Sequence, residues 1–261
     1  MTTVLKRNPW VIWKDVVFAL FIREIRTGFN DKFGLSWAVA SPVIFIFVLS
    51  FARGLMDGGE THGMPTFAFM AYGMVIIQLF LTMLHACARS VQKNKALFAF
   101  RQVQPISSWL AVGLFEFLVK LAVLIVIWAL MYFLQIEVQV DDGLMLLANI
   151  LAVGIMAMSL GLMMTLLHCY IPETEKILGL ATRPMFFISG VFFSLQDVPS
   201  EYWVFLNWNP VLHAIELSRQ ATHSNFGAAG VSAAYLWSCS LGSLALALCC
   251  YYVSWKQAVS R

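Results

Sequence analysis

Arg183–Arg219 reads RPMFFISGVFFSLQDVPSEYWVFLNWNPVLHAIELSR. Its first residues continue an apolar helix, which Ser189-Gly190 interrupts. Two short pieces follow. Pro199 and Glu201 open the first: proline suits the first helical position, whose N–H has no partner anyway, and an acid suits the positive end of the helix dipole. Asn207, Asn209 and Pro210 end it, and a second piece runs from Val211 to about Gln220. Each piece has about 10 residues, or about 15 Å, half the thickness of a bilayer core. Segments too short to span and too apolar for water are expected to dip into a membrane from one side, against protein or an aqueous cavity. The competing reading is a surface loop of two interfacial helices anchored by Trp203 and Trp208.

The composition agrees with a membrane setting. Of 261 residues, 60% are hydrophobic and 12% charged, against about 25% charged in soluble domains. Val16 to Ile22, closed by Asp15 and Arg23, is too short for a secretory leader. Five cysteines without a C-x-x-C predict neither a disulfide framework nor a zinc site. No linker, low-complexity tract or internal repeat divides the chain, so residues 1–261 read as a single transmembrane domain.

Residues 8–32 form an amphipathic helix. Val17, Phe18, Phe21, Ile22 and Ile25 share one face, with Asp15, Ala19, Arg23 and Arg26 opposite, the pattern of a helix lying in the membrane interface. Six spans are then expected at about 35–56, 65–88, 107–135, 144–169, 176–196 and 231–254, each longer than the roughly 20 residues required. With both termini in the cytoplasm, thirteen of the seventeen Lys and Arg residues fall on the inner side, as the positive-inside rule asks. Pro42 is an expected kink in the first span.

Several chemistries are excluded by motif. There is no phosphate-cradling G-x-x-x-x-G-K-[ST] loop, no H-E-x-x-H and no G-x-S-x-G. His168 and Cys169 are adjacent on a helix and point about 100° apart, so they read as packing, as does His85. Glu116 and Lys120 lie within a span at i and i+4, where they are expected to neutralise each other as a structural pair; a transport role is the alternative. The inner loop Ala88–Ser108 is basic, and Phe98 and Phe100 sit among Lys93, Lys95 and Arg101. Aromatics there fit the anchor of a partner protein or a dip into lipid headgroups.

R-E-I-R at Arg23–Arg26, G-L-S-W…P at Gly34–Pro42, the basic loop after the second span, R-P-x-F-F-x-S-G-V-F-F at Arg183–Phe193 and N-P-V-L-H-A-I-E-x-x-R at Asn209–Arg219 follow one another in an order and spacing that resembles the ABC-2 type permeases of bacterial polysaccharide exporters. The likeness is greatest to the inner-membrane permease of capsular polysaccharide export. The resemblance implies an all-α membrane protein of the type V exporter fold: an interfacial helix, six spans, and two re-entrant periplasmic helices between spans five and six. It implies a homodimer in the bacterial inner membrane, with two copies of a cytoplasmic ATPase that bind ATP and Mg, and no cofactor or metal in this chain. A periplasmic adaptor and an outer-membrane export protein are implied as further partners, with membrane lipids and a lipid-linked polysaccharide but no nucleic acid.

By the same likeness, residues 198–220 are gate helices, with Pro199, Tyr202, Trp203, Phe205, Trp208 and Pro210 as the gate, and Lys93 to Arg101 is the coupling element. Arg23 and Arg26 would attract an acidic lipid linker. A sliding polymer needs apolar faces that do not hold it tightly, so Trp37, Phe45, Phe67, Phe69, Tyr72, Phe186, Phe187 and Phe193 are expected along the path, with ordinary packing as the alternative for each. Arg53, Arg183 and Arg219 are expected as a cationic ladder beside them. O-antigen or teichoic acid export and export of a small drug-like molecule stand as alternatives. A membrane enzyme would need a carboxylate pair, which Glu116 alone does not supply. A secondary transporter would need inverted repeats.

Overall fold

A computed structural model describes residues 8–29, 34–56, 59–100 and 102–260. The first helix, α1 (Pro9–Phe29), leaves Arg23 and Arg26 exposed. Next, α2 (Gly34–Met56) continues through Pro42. Two-residue strands β1 (Glu60–Thr61) and β2 (Met64–Pro65) pair antiparallel, Glu60 opposite Pro65. This hairpin is the one sheet among the described residues. The long α3 (Thr66–Lys93) leads into a 3-10 turn, Lys95–Ala99. Pro105 occupies the first turn of α4 (Pro105–Phe133), where its missing N–H costs nothing. Asp142 caps α5 (Gly143–Tyr170) by accepting the Met145 N–H. Then come α6 (Thr174–Ile188), α7 (Trp203–Leu206), α8 (Pro210–Thr222) and α9 (Ala233–Ser260).

Among the described residues, five helices are long and apolar enough to cross a membrane: α2, α3, α4, α5 and α9. The centre of the bundle is α3, packed by α2, α4, α5 and α8 and buried along nearly its whole length. By contrast α2 and α9 are largely exposed apolar surface. Apolar surface exposed to this extent is stable only where lipid or another protein takes the place of water.

The span expected at 176–196 departs from its sequence reading. Its helix, α6, has 15 residues, or about 22 Å, short of a bilayer core. Gly190 ends it with φ +74°, a left-handed conformation that glycine adopts without steric cost. Burial of Arg219 accounts for the break. This side chain is 0% exposed, and its Nη1 donates to the carbonyls of Gly190 (2.9 Å) and Phe193 (3.4 Å) while Nη2 donates to that of Val191 (2.9 Å). A continued helix would have used those oxygens itself. The Nε atom donates to the Phe69 carbonyl at 3.2 Å, and the guanidinium lies 3.5 Å over the Phe69 ring. Glu216, one turn back on α8, supplies the counter-charge at 3.0 Å and accepts from the Ser194 hydroxyl at 2.9 Å. Gly73 makes room: a Cβ there would stand 2.7 Å from Arg219 Nη2.

The surrounding loops are stitched to the same end. His62 Nε2 meets Asp197 Oδ1 at 2.7 Å, tying the hairpin to the turn after α6. The Asp142 N–H donates to the Ala221 carbonyl, and the Ser224 N–H to Asp141. Hydrogen bonds from Ser224 hold the Asp141 carboxyl below the usual carboxylate range.

Arg219→Ala leaves Glu216 buried without its cation. A loss of about 3–5 kcal/mol is expected, read as a lower unfolding midpoint of the purified protein, and an unchanged midpoint would show that Arg219 does not hold this end together. Arg219→Lys, which keeps the charge but not the planar fork, should lie between the two.

Candidate functional site

A groove of about 490 Å³ opens between α2, α3 and α4. Trp37, Ser41 and Phe45 recur every four residues on α2, Gln78 and Thr82 do so on α3, and Glu116 and Lys120 do so on α4 beside Phe115. Residues four apart share a helix face, so each helix presents one stripe to the groove. Lys120 lies about 22 Å along a helix of about 44 Å, near its middle.

Glu116 and Lys120 interact as opposite charges one turn apart on α4, as the spacing predicts, without a direct hydrogen bond among the described residues. The side-chain oxygen of Gln78 is buried without a partner. The Thr82 hydroxyl donates to the Gln78 backbone carbonyl at 2.6 Å.

An aromatic seam continues from the groove. Phe45 stands 6.5 Å from Phe186, which contacts Phe187 and Phe192 at 5.6 Å each, and Phe187 stacks on Phe192 at 5.8 Å. Trp37, Phe45 and Phe187 are exposed. Arg183 is exposed on α6, Phe193 after that helix is half-buried, and Arg53 lies in the last turn of α2.

Four expected path residues are not on any surface. Phe67, Phe69 and Tyr72 are buried in α3, where Phe69 underlies Arg219 and the Tyr72 hydroxyl accepts the Trp128 indole N–H at 3.0 Å. Arg219 is locked as described above and does not join Arg53 and Arg183 in a ladder. Enclosure of α3 on all sides is the reason: its aromatics fill the core.

In the 199–210 segment, Pro199 precedes a 3-10 turn at Ser200–Tyr202, so the first short piece is a turn plus the four-residue α7. Tyr202, Phe205 and Trp208 are exposed, while Trp203 is half-buried and donates to the Val198 carbonyl at 2.7 Å. Asn209 caps α8 through Val211, with Pro210 in the first turn.

Three basic residues of the opposite end are already engaged. Lys93 pairs with the buried Glu24 of α1, and Arg23 donates to the Asn94 side chain. Arg89 bonds Glu175 of α6 at 2.7 Å. Lys95 and Phe100 are exposed, Phe98 is half-buried, Arg26 is exposed, and Arg101 lies outside the described residues. His85 bonds the Leu81 carbonyl, and Cys169 the Thr165 carbonyl. Sequence reasoning missed Gln78, Phe192, Glu24 and Asn94. Gln78 had a visible signal, as the only amide in an otherwise apolar helix stretch, where a polar side chain needs a partner.

His213 on α8 offers a pH test. Its Nε2 contacts the Asn207 carbonyl at 2.8 Å and its Nδ1 accepts the Ser232 N–H at 3.0 Å, so the neutral ring with its proton on Nε2 satisfies both. Burial pushes its pKa down. A depressed folded pKa means that stability is full above the unfolded value of about 6.5 and is lost as pH falls from there through the folded value. Thermal midpoints should therefore drop between pH 7.5 and pH 5.5, and His213→Gln should flatten that slope. An identical slope in the variant would exclude His213 as its source.

Comparison with known proteins places this geometry. The ABC-2 type transporter family matches residues 15–222. The chain is 30% identical to the polysialic acid transport protein KpsM of Escherichia coli over 251 residues, covering 95% of this chain and 96% of that protein. It is 24% identical to the capsule polysaccharide export inner-membrane protein CtrC of Neisseria meningitidis, covering 91% and 90%. The protein BexB of Haemophilus influenzae, described in the same words, is 24% identical, covering 81% and 79%. With five helices long and apolar enough to cross a membrane, α3 among them, and a family match over most of its length, the chain belongs to the ABC-2 type transporter family.

Proposed function

We propose that this chain is the permease subunit of an ATP-driven exporter that moves a lipid-linked capsular polysaccharide across the bacterial inner membrane. The observation that carries this reading is the exposed aromatic seam of Trp37, Phe45 and Phe187 along α2 and α6, in a chain whose relatives are capsule export and polysialic acid transport proteins. Aromatic faces give a sugar ring apolar contact without fixed hydrogen bonds, which suits a polymer that must slide. A second copy of the chain facing that seam would enclose it as a path, and closed two-fold symmetry is the commonest arrangement of such pairs.

In this reading both termini are cytoplasmic, and α6 with the irregular segment after it completes a sixth span. Residues 198–220 dip into the membrane from the periplasmic side as a lid. A separate ATPase, holding ATP and Mg, docks at Lys95–Phe100, and a periplasmic adaptor and outer-membrane protein continue the route. The clamp of Glu24 on Lys93 and of Arg23 on Asn94 makes α1 move with that dock. The polar groove favours a second reading, export of a small drug-like molecule, because its volume is that of a ligand pocket.

Deleting the gene and restoring it on a plasmid tests the two together. Loss of surface polysaccharide with retention of polymer inside the cell, reversed by the plasmid, is expected; an intact capsule with altered drug sensitivity would select the second reading. Phe98→Ala with Phe100→Ala should weaken association with the ATPase by about 2 kcal/mol, or roughly thirtyfold. Co-purification at wild-type affinity would place the dock elsewhere.

A further inference from the structure

We propose that residues 136–140, between α4 and α5, are a docking edge for a β-strand of a partner protein, one whose sequence alternates apolar residues with Lys or Arg. This inference goes beyond the export reading and does not depend on what is exported.

The segment has the pattern of a strand but belongs to no sheet. Ile136, Val138 and Val140 alternate with Glu137 and Gln139. β-branched residues at every second place fit a pleated, half-buried surface. From 136 to 140 the backbone runs without helix, turn or bend. Among the described residues, no hydrogen bond engages the backbone N–H or carbonyl of residues 137–140. Val138 and Val140 are exposed. A row of free N–H and C=O groups flanked by apolar side chains is a template for another strand.

Both ends of this template are fixed. Gln135 turns the chain out of α4 with φ +59°, and the Ile136 N–H donates to the Met131 carbonyl at 2.9 Å. At the far end the Asp141 carboxylate accepts the Ser224 N–H at 2.7 Å, and the Asp142 N–H donates to the Ala221 carbonyl at 2.8 Å. A segment held at both ends has little freedom left to lose on pairing. Five residues at about 3.3 Å each span about 17 Å, the length of an ordinary strand. A hollow of about 520 Å³ adjoins them, lined by Tyr132, Phe133, Gln135, Ile136, Glu137 and Val138. The exposed rings of Tyr132 and Phe133, 6.1 Å apart, give it an apolar wall. In strand addition the main chain supplies affinity, and side-chain hollows of this kind supply specificity.

Charge selects the occupant. Glu137, Asp141 and Asp142 are exposed along this loop, which carries no Lys or Arg. His223 lies near enough to feel Glu137 and Asp141, but burial pushes its pKa down and leaves the ring neutral. A strand with Lys or Arg between its apolar residues meets both halves of the pattern. A second copy of this segment would set acids against acids, which is destabilising across paired strands. A phospholipid offers no row of alternating donors and acceptors.

The test uses the permease bound to its ATPase in nanodiscs of zwitterionic lipid. The probes are a fluorescent heptapeptide alternating Val and Lys, a copy N-methylated at every residue, and a peptide alternating Val and Glu. The Val-Lys peptide should bind saturably. Its N-methylated copy should bind at least about tenfold more weakly, since several main-chain hydrogen bonds are lost. Val138→Pro, which removes one N–H, should weaken the Val-Lys peptide as well, and Glu137→Lys should shift preference toward the Val-Glu peptide. Equal binding of the parent and N-methylated peptides would overturn the proposal, and this comparison needs no variant to fold. In cells that make the whole exporter, a photoreactive phenylalanine analogue replaces Val140 and the adducts are sequenced. Adducts within a segment of another protein that alternates apolar and basic residues are expected. Adducts with a second copy, with phospholipid alone, or with nothing would overturn the proposal.

Discussion

A guanidinium sealed from water organises one end of this protein. Arg219 is held by Glu216, by the Phe69 carbonyl and ring, and by three carbonyls of the segment that follows α6. A buried charge is tolerable only when paired and fully bonded. The chain meets that demand by giving up helical hydrogen bonds after Ile188, so the shortness of α6 and the burial of α8 have one cause. Gly73 and Gly190 follow from the same constraint, one by leaving space beside the guanidinium and the other by turning the backbone so that its carbonyl reaches it.

The opposite end is held by different means. Glu24 and Arg23 of α1 bond Lys93 and Asn94, and Arg89 bonds Glu175. All three contacts fall on the last turns of α3 or just beyond. Phe69 and Gly73 belong to the Arg219 cluster at one end of that helix, and Gln78 and Thr82 floor the groove in its middle. One buried helix therefore touches the Arg219 cluster, the groove and the basic end. Exposed apolar surface is greatest on α2 and α9, which pack on the bundle along one side, α2 on α3 and α4 and α9 on α5.

Much of this was legible in the chain as written. Hydropathy alone marks a membrane protein, and breakers mark where elements stop: Ser189-Gly190 ends α6, Asn209-Pro210 opens α8, and Pro105 opens α4. These signals are local, since a helix is set by its own residues and by partners three or four places away. Trp37 and Phe45, expected along the path, line the groove.

What the sequence could not determine were the partners of its charges and polar groups. Arg219 read as a ladder rung and is a buried lock, because the carbonyl of Phe69 that it bonds lies 150 residues away. Lys93 and Arg23 read as free basic surface and are bound to partners 69 and 71 residues distant. Glu116 and Lys120 read as neighbours because they are four apart, and only tertiary packing sets them beside Gln78 in one groove. Local spacing states which side chains share a face. Only the packed bundle decides what that face meets, because burial and long-range hydrogen bonding arise between helices, not within them.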